Sequence, residues 1–277
     1  MVHMVILSIL HRTHVFMRQQ METQMQTLLN YLSIALPTIP TQGTTPGPNT
    51  TNPQYDADDI THIVPWSEFS YSTIILQYAE LLNTKRIRPD PFTSPPAPLK
   101  DEATFHLRFS DLVMNRVRRA LRAGFEQLSP QLATHRLSET TIDGGGSARI
   151  VDQFRPDAAF IVVGASLSTG VNRAPGDLKV SWKWRSSMQF SQNLADQREY
   201  KQVLAQVNFY MDQHNARHGF ILSNLELVAI KRLDRDGRLA VATPVLWASG
   251  GAGRLSVLLG LWYLGMLAAE DNHWALD

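Results

Sequence analysis

Apolar residues recur every three or four positions in several stretches of the chain, and alternate or run together in others. Residues 15–36 place Met21, Met25, Leu28, Leu32 and Ala35 on one stripe, with Gln, Thr and Asn over much of the opposite face. This predicts an N-terminal helical arm, ended by Pro37 and Pro40. A short helix is expected over 67–83, with Ser67 as its N-cap. A long one follows over 100–128, with Leu107, Val113, Val117, Leu121 and Phe125 on its apolar side. Two more helices are expected at 195–214 and 254–270. Strand-like runs lie at 148–154 and 157–163, on either side of the Arg155-Pro156 corner. Others lie at 177–184, after the Ala174-Pro175-Gly176 turn, and at 219–222. A hairpin joins 225–233 to 238–245 across Asp234-Arg235-Asp236-Gly237.

The order is helix, three strands, helix, strand, then an added hairpin and C-terminal helix. It predicts an α/β fold with an αβββαβ core and a mixed central sheet flanked by helices. Residues 37–59 are rich in Pro, Thr, Gly and Asn, with hardly any aliphatic side chain. Such a stretch buries too little apolar surface to offset its ordering entropy. Residues 37–66 are therefore expected to be a disordered linker between the arm, 1–36, and the main domain, 67–277. The prolines between 89 and 98 predict a stiff connector, and Asp143 to Ser147 (DGGGS) a flexible turn.

Composition narrows the chemistry. The chain of 277 residues has no cysteine, which excludes disulfides, zinc–thiolate sites and thiol nucleophiles. Its net charge of +1 gives no global attraction for a polyanion, so any nucleic-acid site must come from local clustering. One such cluster is Arg116, Arg118, Arg119 and Arg122 along the long helix. No basic segment precedes the short apolar run from Val5 to Leu10, and the run from Leu255 to Ala269 is short for a bilayer. An intracellular protein, nuclear or cytoplasmic and without membrane association, is expected. The N-terminal stripe is a candidate surface for a protein partner or self-association.

The chemistry concentrates in 155–185. Asp157 opens one strand-like run, and Asp177 with Lys179 opens the next. Strict alternation puts Asp177, Lys179, Ser181 and Lys183 on one face, and Val180, Trp182 and Trp184 on the other. Neighbouring carboxylates repel unless a cation lies between them, and oxygen-only ligands suit Mg²⁺ or Mn²⁺. On the next helix Gln202, Gln206 and Tyr210 share a stripe at four-residue spacing.

Pro156-Asp157 followed by Asp177-Leu178-Lys179 resembles the PD-(D/E)-x-K signature of the restriction-endonuclease-like nuclease superfamily. Gln206-Val207-Asn208-Phe209-Tyr210 is similar to the Q-x-x-x-Y motif of its exonuclease-type branch. The run from Gly176 to Met211 also resembles uncharacterised fungal proteins placed in that superfamily. The resemblance covers roughly residues 100–270. It implies a metal-dependent nuclease acting on DNA, or else RNA. Asp157 and Asp177 would hold Mg²⁺ or Mn²⁺, and Lys179 would serve the water and the phosphate. Gln202, Gln206, Tyr210 and Lys183 would bind substrate. An acidic residue from the first helix is also implied, with Glu102 preferred and Glu126 as the alternative. The competing expectation is a catalytically inactive scaffold of the same fold that binds nucleic acid or a protein.

Overall fold

A computed structural model describes residues 25–166 and 169–276. In chain order the elements begin with β1 (Gln26–Thr27), α1 (Leu28–Leu32), β2 (His62–Pro65), α2 (Tyr71–Thr84) and β3 (Arg86–Ile87). There follow α3 (Glu102–Phe109), a π-helical turn (Ser110–Met114), α4 (Asn115–Leu128), α5 (Leu132–His135), β4 (Thr140–Gly144), β5 (Ala158–Val162) and β6 (Gly176–Lys179). The chain closes with α6 (Leu194–Gln213), β7 (His218–Ser223), β8 (Glu226–Arg232), β9 (Arg238–Val241), β10 (Val245–Leu246) and α7 (Val257–Ala269).

The fold is mixed α/β, with an eight-stranded sheet ordered β2-β9-β8-β7-β6-β5-β4 and β10 paired to β8. β6 runs parallel to β7, and β2 parallel to β9; the other pairs are antiparallel. The β6/β7 pair needs a crossover, and α6 provides it. Alternation along the strands divides the core. Phe220 and Leu222 of β7, with Leu227 and Ala229 of β8, join the cluster beneath α4 and α7. Ile221, Val228 and Ile230 join the cluster beneath α6. α7 is apolar on nearly all sides because it is buried on nearly all sides.

Two glycines permit the close approaches at the strand starts that matter below. A Cβ at Gly176 would collide with the Phe220 ring, and one at Gly145 with the carbonyl of Pro156.

Several sequence expectations change. Residues 37–66 lie against the domain. Tyr55, Ala57 and Ile60 are buried, and β2 is a strand of the main sheet. Polar side chains of α6 compensate for the missing aliphatic residues by bonding the segment. Asn49 N and Nδ2 both donate to Glu199 Oε2 (2.9 and 2.8 Å), Ala57 N donates to Gln202 Oε1 (3.1 Å), and Lys201 Nζ donates to the Ile60 carbonyl (3.2 Å). Arg198 pairs with Asp56 at 2.8 Å.

The described part of the N-terminal arm also belongs to the main core, through Leu28, Tyr31, Leu32 and Leu36. Leu28 and Leu32 of its stripe face this chain itself, while Ala35 is exposed and the described helix spans only Leu28–Leu32; Met21 lies outside the described residues. The first of the three core strands is Thr140–Gly144, and 148–154 instead forms a tight turn closed by a Val151–Phe154 bridge. Asp152 and Gln153 in that turn have positive φ. The third ends at Lys179, and the hairpin β8–β9 extends the central sheet.

Candidate functional site

Asp157 sits at the head of β5, where its Oδ2 accepts a hydrogen bond from Leu178 N at 2.8 Å. That bond ties the starts of β5 and β6 together, beside their one residue pair, Ala158 with Gly176. Asp177 and Lys179 point to the α6 side of the sheet, since Leu178 between them joins the opposite cluster. Asp177 is 2% exposed, and Lys179 Nζ lies 2.7 Å from its Oδ2. The two side chains form a buried ion pair.

Glu102 enters from the first turn of α3, which Asp101 caps by accepting from Thr104 N (2.7 Å). Its Oε1 is 3.8 Å from Lys179 Nζ, and its Oε2 is 3.1 Å from Lys183 Nζ. One turn along, His106 Nε2 lies 3.7 Å from Asp157 Oδ1. The cluster thus joins three carboxylates, two lysines and a histidine, from α3, β5, β6 and the turn after β6.

Burial dominates the electrostatics. It pushes the Asp177 carboxyl up to about 7; the Lys179 ammonium opposes this and the Asp157 charge reinforces it. Burial also raises Asp157, against the Leu178 amide and Lys179. For Lys179 burial pulls downward, but the facing Asp177, with Glu102 and Asp157 behind it, more than offsets that, so its ammonium is held more firmly than in water. His106 is lowered by burial despite the nearby Glu102 and Asp177.

α6 supplies the remaining wall. Gln206 Nε2 donates to Tyr210 Oη at 3.1 Å, and Gln206 Oε1 is buried without a partner. Burial raises the Tyr210 phenol; the Gln206 bond opposes this, while the Asp177 and Asp157 charges add to it. Gln202 is buried under the covering segment. Both ends of its amide are used by the covering segment, on Ala57 N and on the Tyr55 carbonyl (3.4 Å). Lys183 lies beyond the end of β6, in a turn closed by its own N–H to the Val180 carbonyl (2.9 Å), so its place beside Glu102 does not come from strand alternation.

Glu126 is remote from the cluster, in an ion pair with Lys85 (3.0 Å). The arginines of the long helix are largely structural. Arg116 is buried and donates to the carbonyls of Asp111 and Leu112 in the π-helical turn (2.9 and 3.2 Å). Arg118 donates to the Ile142 carbonyl (3.0 Å), and Arg119 to that of Arg88 (3.0 Å). Two further residues join the site, His106 and Tyr55. His106 is one helical turn from Glu102, a spacing that identifies it. Tyr55 is the single aromatic in the Pro-rich segment; it is buried against Phe154 and Phe209 and feels the Asp177 charge.

A divalent ion fits part of this arrangement. Asp157 and Asp177 are neighbouring oxygen ligands of the kind Mg²⁺ takes, although Asp177 Oδ2 already has the Lys179 ammonium at 2.7 Å. Among the described residues, no group of three His, Asp or Glu side chains is placed to hold a metal ion. No helix among them is long and apolar enough to cross a membrane. The sequence matches no family model, no curated protein and no solved structure.

Proposed function

We propose that the chain is a metal-dependent phosphodiesterase of the PD-(D/E)-x-K type that cleaves nucleic acid, with DNA favoured over RNA. The observation carrying this reading is the convergence of Asp157, Asp177, Lys179 and Glu102 at the paired starts of β5 and β6. The order α4-β4-β5-β6-α6-β7, with β6 and β7 parallel, supports it, because it is the order expected of a restriction-endonuclease-like core.

Asp157 and Asp177 would hold the ion, which when bound supplies an acidified water and neutralises charge on the phosphate. Lys179, fixed by the carboxylates around it, presents a permanent positive charge where charge develops on the phosphoryl oxygens. Glu102 positions both lysines. Gln206 has a free acceptor and Tyr210 a phenol fixed by Gln206; together they orient the strand.

One observation favours the alternative of an inactive scaffold: the buried Asp177–Lys179 pair already gives the acid a cation. The test is cleavage of plasmid and single-stranded substrates with Mn²⁺ or Mg²⁺. Activity that Lys179→Ala and Asp177→Asn both abolish is expected. A folded protein without such activity leaves the scaffold.

A further inference from the structure

The turn after β6 is fastened far more firmly than a connecting turn requires. Ser181 N donates to Asn224 Oδ1 (2.9 Å). Trp184 is fully buried and stacks on Tyr200, with ring centroids 5.9 Å apart. Ser186 gives its N–H and its hydroxyl to the two oxygens of buried Glu226 (2.6 and 2.8 Å). Trp182 lies between these anchors and packs partly against the main core, and Met188 and Phe190 follow the last anchor. Trp182 and Met188 are half-buried, and Phe190 is 81% exposed. They line a cavity of about 460 Å³ together with Lys183, Arg185 and Pro46. Arg185 spends Nε on the Ser181 carbonyl (2.9 Å), which fixes the guanidinium and leaves its terminal nitrogens for a ligand. At the rim Asp196 accepts from Ser191 Oγ (2.7 Å).

We propose that this cavity binds an unpaired nucleotide of single-stranded nucleic acid, its base stacked on Trp182 and Phe190 and its phosphate held by Lys183 and Arg185. The inference rests on the nuclease reading for the choice of ligand. Aromatic faces beside a basic track are the physical requirement for single-strand binding, because every base has a π-face and every nucleotide a phosphate. A base inside a duplex is already stacked and cannot enter. Lys183 gives the direction. Lys183 lines the cavity and its ammonium lies 3.1 Å from Glu102, so a nucleotide held here runs on toward the carboxylate cluster. The anchored turn holds Trp182, Lys183 and Arg185 in place before the ligand arrives, which limits the ordering cost of binding on that side.

The test is fluorescence anisotropy of labelled oligonucleotides of about a dozen nucleotides, a length within single-strand site sizes. Single-stranded DNA, single-stranded RNA and the DNA duplex are titrated separately in EDTA, so that no cleavage intervenes. Tighter binding of a single strand than of the duplex is expected, and the tighter of the DNA and RNA arms names the substrate. Phe190→Ala should weaken single-strand binding about tenfold, within the range for loss of one base–aromatic stack, while Phe190→Trp retains it. Arg185→Ala should weaken all single strands alike and lower the salt slope by about 1. Phe190 is exposed, so its loss leaves the core intact.

Equal or tighter duplex binding overturns the proposal. So does undetectable single-strand binding, or an effect of Phe190→Ala smaller than about twofold, below the cost of one stack. Cleavage in Mn²⁺ that needs Lys179, alongside any of these results, sinks the stacking site and spares the nuclease. Stacking without Lys179-dependent cleavage does the reverse.

Discussion

Asp177→Asn tests the electrostatics of the cluster without relying on any reaction. Burial raises the Asp177 carboxyl from 3.8 to about 7 in the folded chain. A carboxyl raised on folding lends stability that is fully present below its unfolded value and is lost as pH rises through its folded value. Below about pH 4 both states are protonated; above about pH 7 the native state must hold a buried charge that the unfolded chain exposes to water. The shift is about three units at 1.36 kcal/mol each, so the wild type should lose about 4 kcal/mol relative to the amide variant between those limits. Asp157 touches the same charge and is itself raised, so the midpoint belongs to the pair of acids. The variant also strips Lys179 of its closest partner, so the slope with pH, and not the absolute difference, is the quantity compared.

The assay is urea unfolding of both proteins from about pH 4.5 to about pH 8, the span where the two states bind protons differently. It is followed by tryptophan fluorescence in EDTA, with Trp184 and Trp262 as buried reporters. The stability difference should climb steadily with pH in favour of Asn. A difference flat to within about 1 kcal/mol, a quarter of the expected change, would show that the carboxyl is not strained by burial and refute the reasoning.

Mn²⁺ should raise the melting temperature of the wild type and leave Asp157→Asn and Asp177→Asn unmoved; differential scanning fluorimetry reads this, and a shift that survives both variants places the ion elsewhere. Gln202→Ala should cost about 1–3 kcal/mol by leaving the backbone of the covering segment unpaired, while oligonucleotide affinity holds; a variant that loses affinity at unchanged stability would return Gln202 to the substrate. Gly176→Ala should destabilise by about 1–3 kcal/mol or more through its collision with Phe220, and Phe220→Leu should recover part of that in the same denaturation assay. A non-additive recovery is required, since independent effects would simply sum.

Long periodic elements were the legible part of the chain. The helix expected at 195–214 is Leu194–Gln213, and the hairpin expected at 225–233 and 238–245 is Glu226–Arg232 with Arg238–Val241. Their periods are set by burial on one or both faces, which the residue types carry. Asp157, Asp177, Lys179 and Glu102 were also singled out before any geometry, and the structure gathers them. What escaped depends on partners distant in sequence. Composition suggests a floppy 37–66, yet the segment is held by Glu199, Arg198, Gln202 and Lys201, over a hundred residues away. The arginines of the long helix look like a solvated basic face, yet Arg116, Arg118 and Arg119 bond the carbonyls of Asp111, Leu112, Ile142 and Arg88. The strand at Thr140–Gly144 was hidden by its glycine-rich end, although Thr140, Thr141 and Ile142 are β-branched residues well suited to a strand.

The pairing of β2 with β9 bears on how the chain can be shortened. β2 is the last strand at that margin of the sheet, and it precedes the point, residue 67, where composition alone invites a cut. A protein trimmed there would leave the N–H and C=O groups of Arg238–Val241 unpaired along one side. It would also uncover the apolar surface beneath Tyr55 and Ile60. Such a margin is a template for any other extended chain, so the trimmed protein should self-associate through strand addition. The polar segment that looks dispensable thus keeps the sheet from recruiting its neighbours.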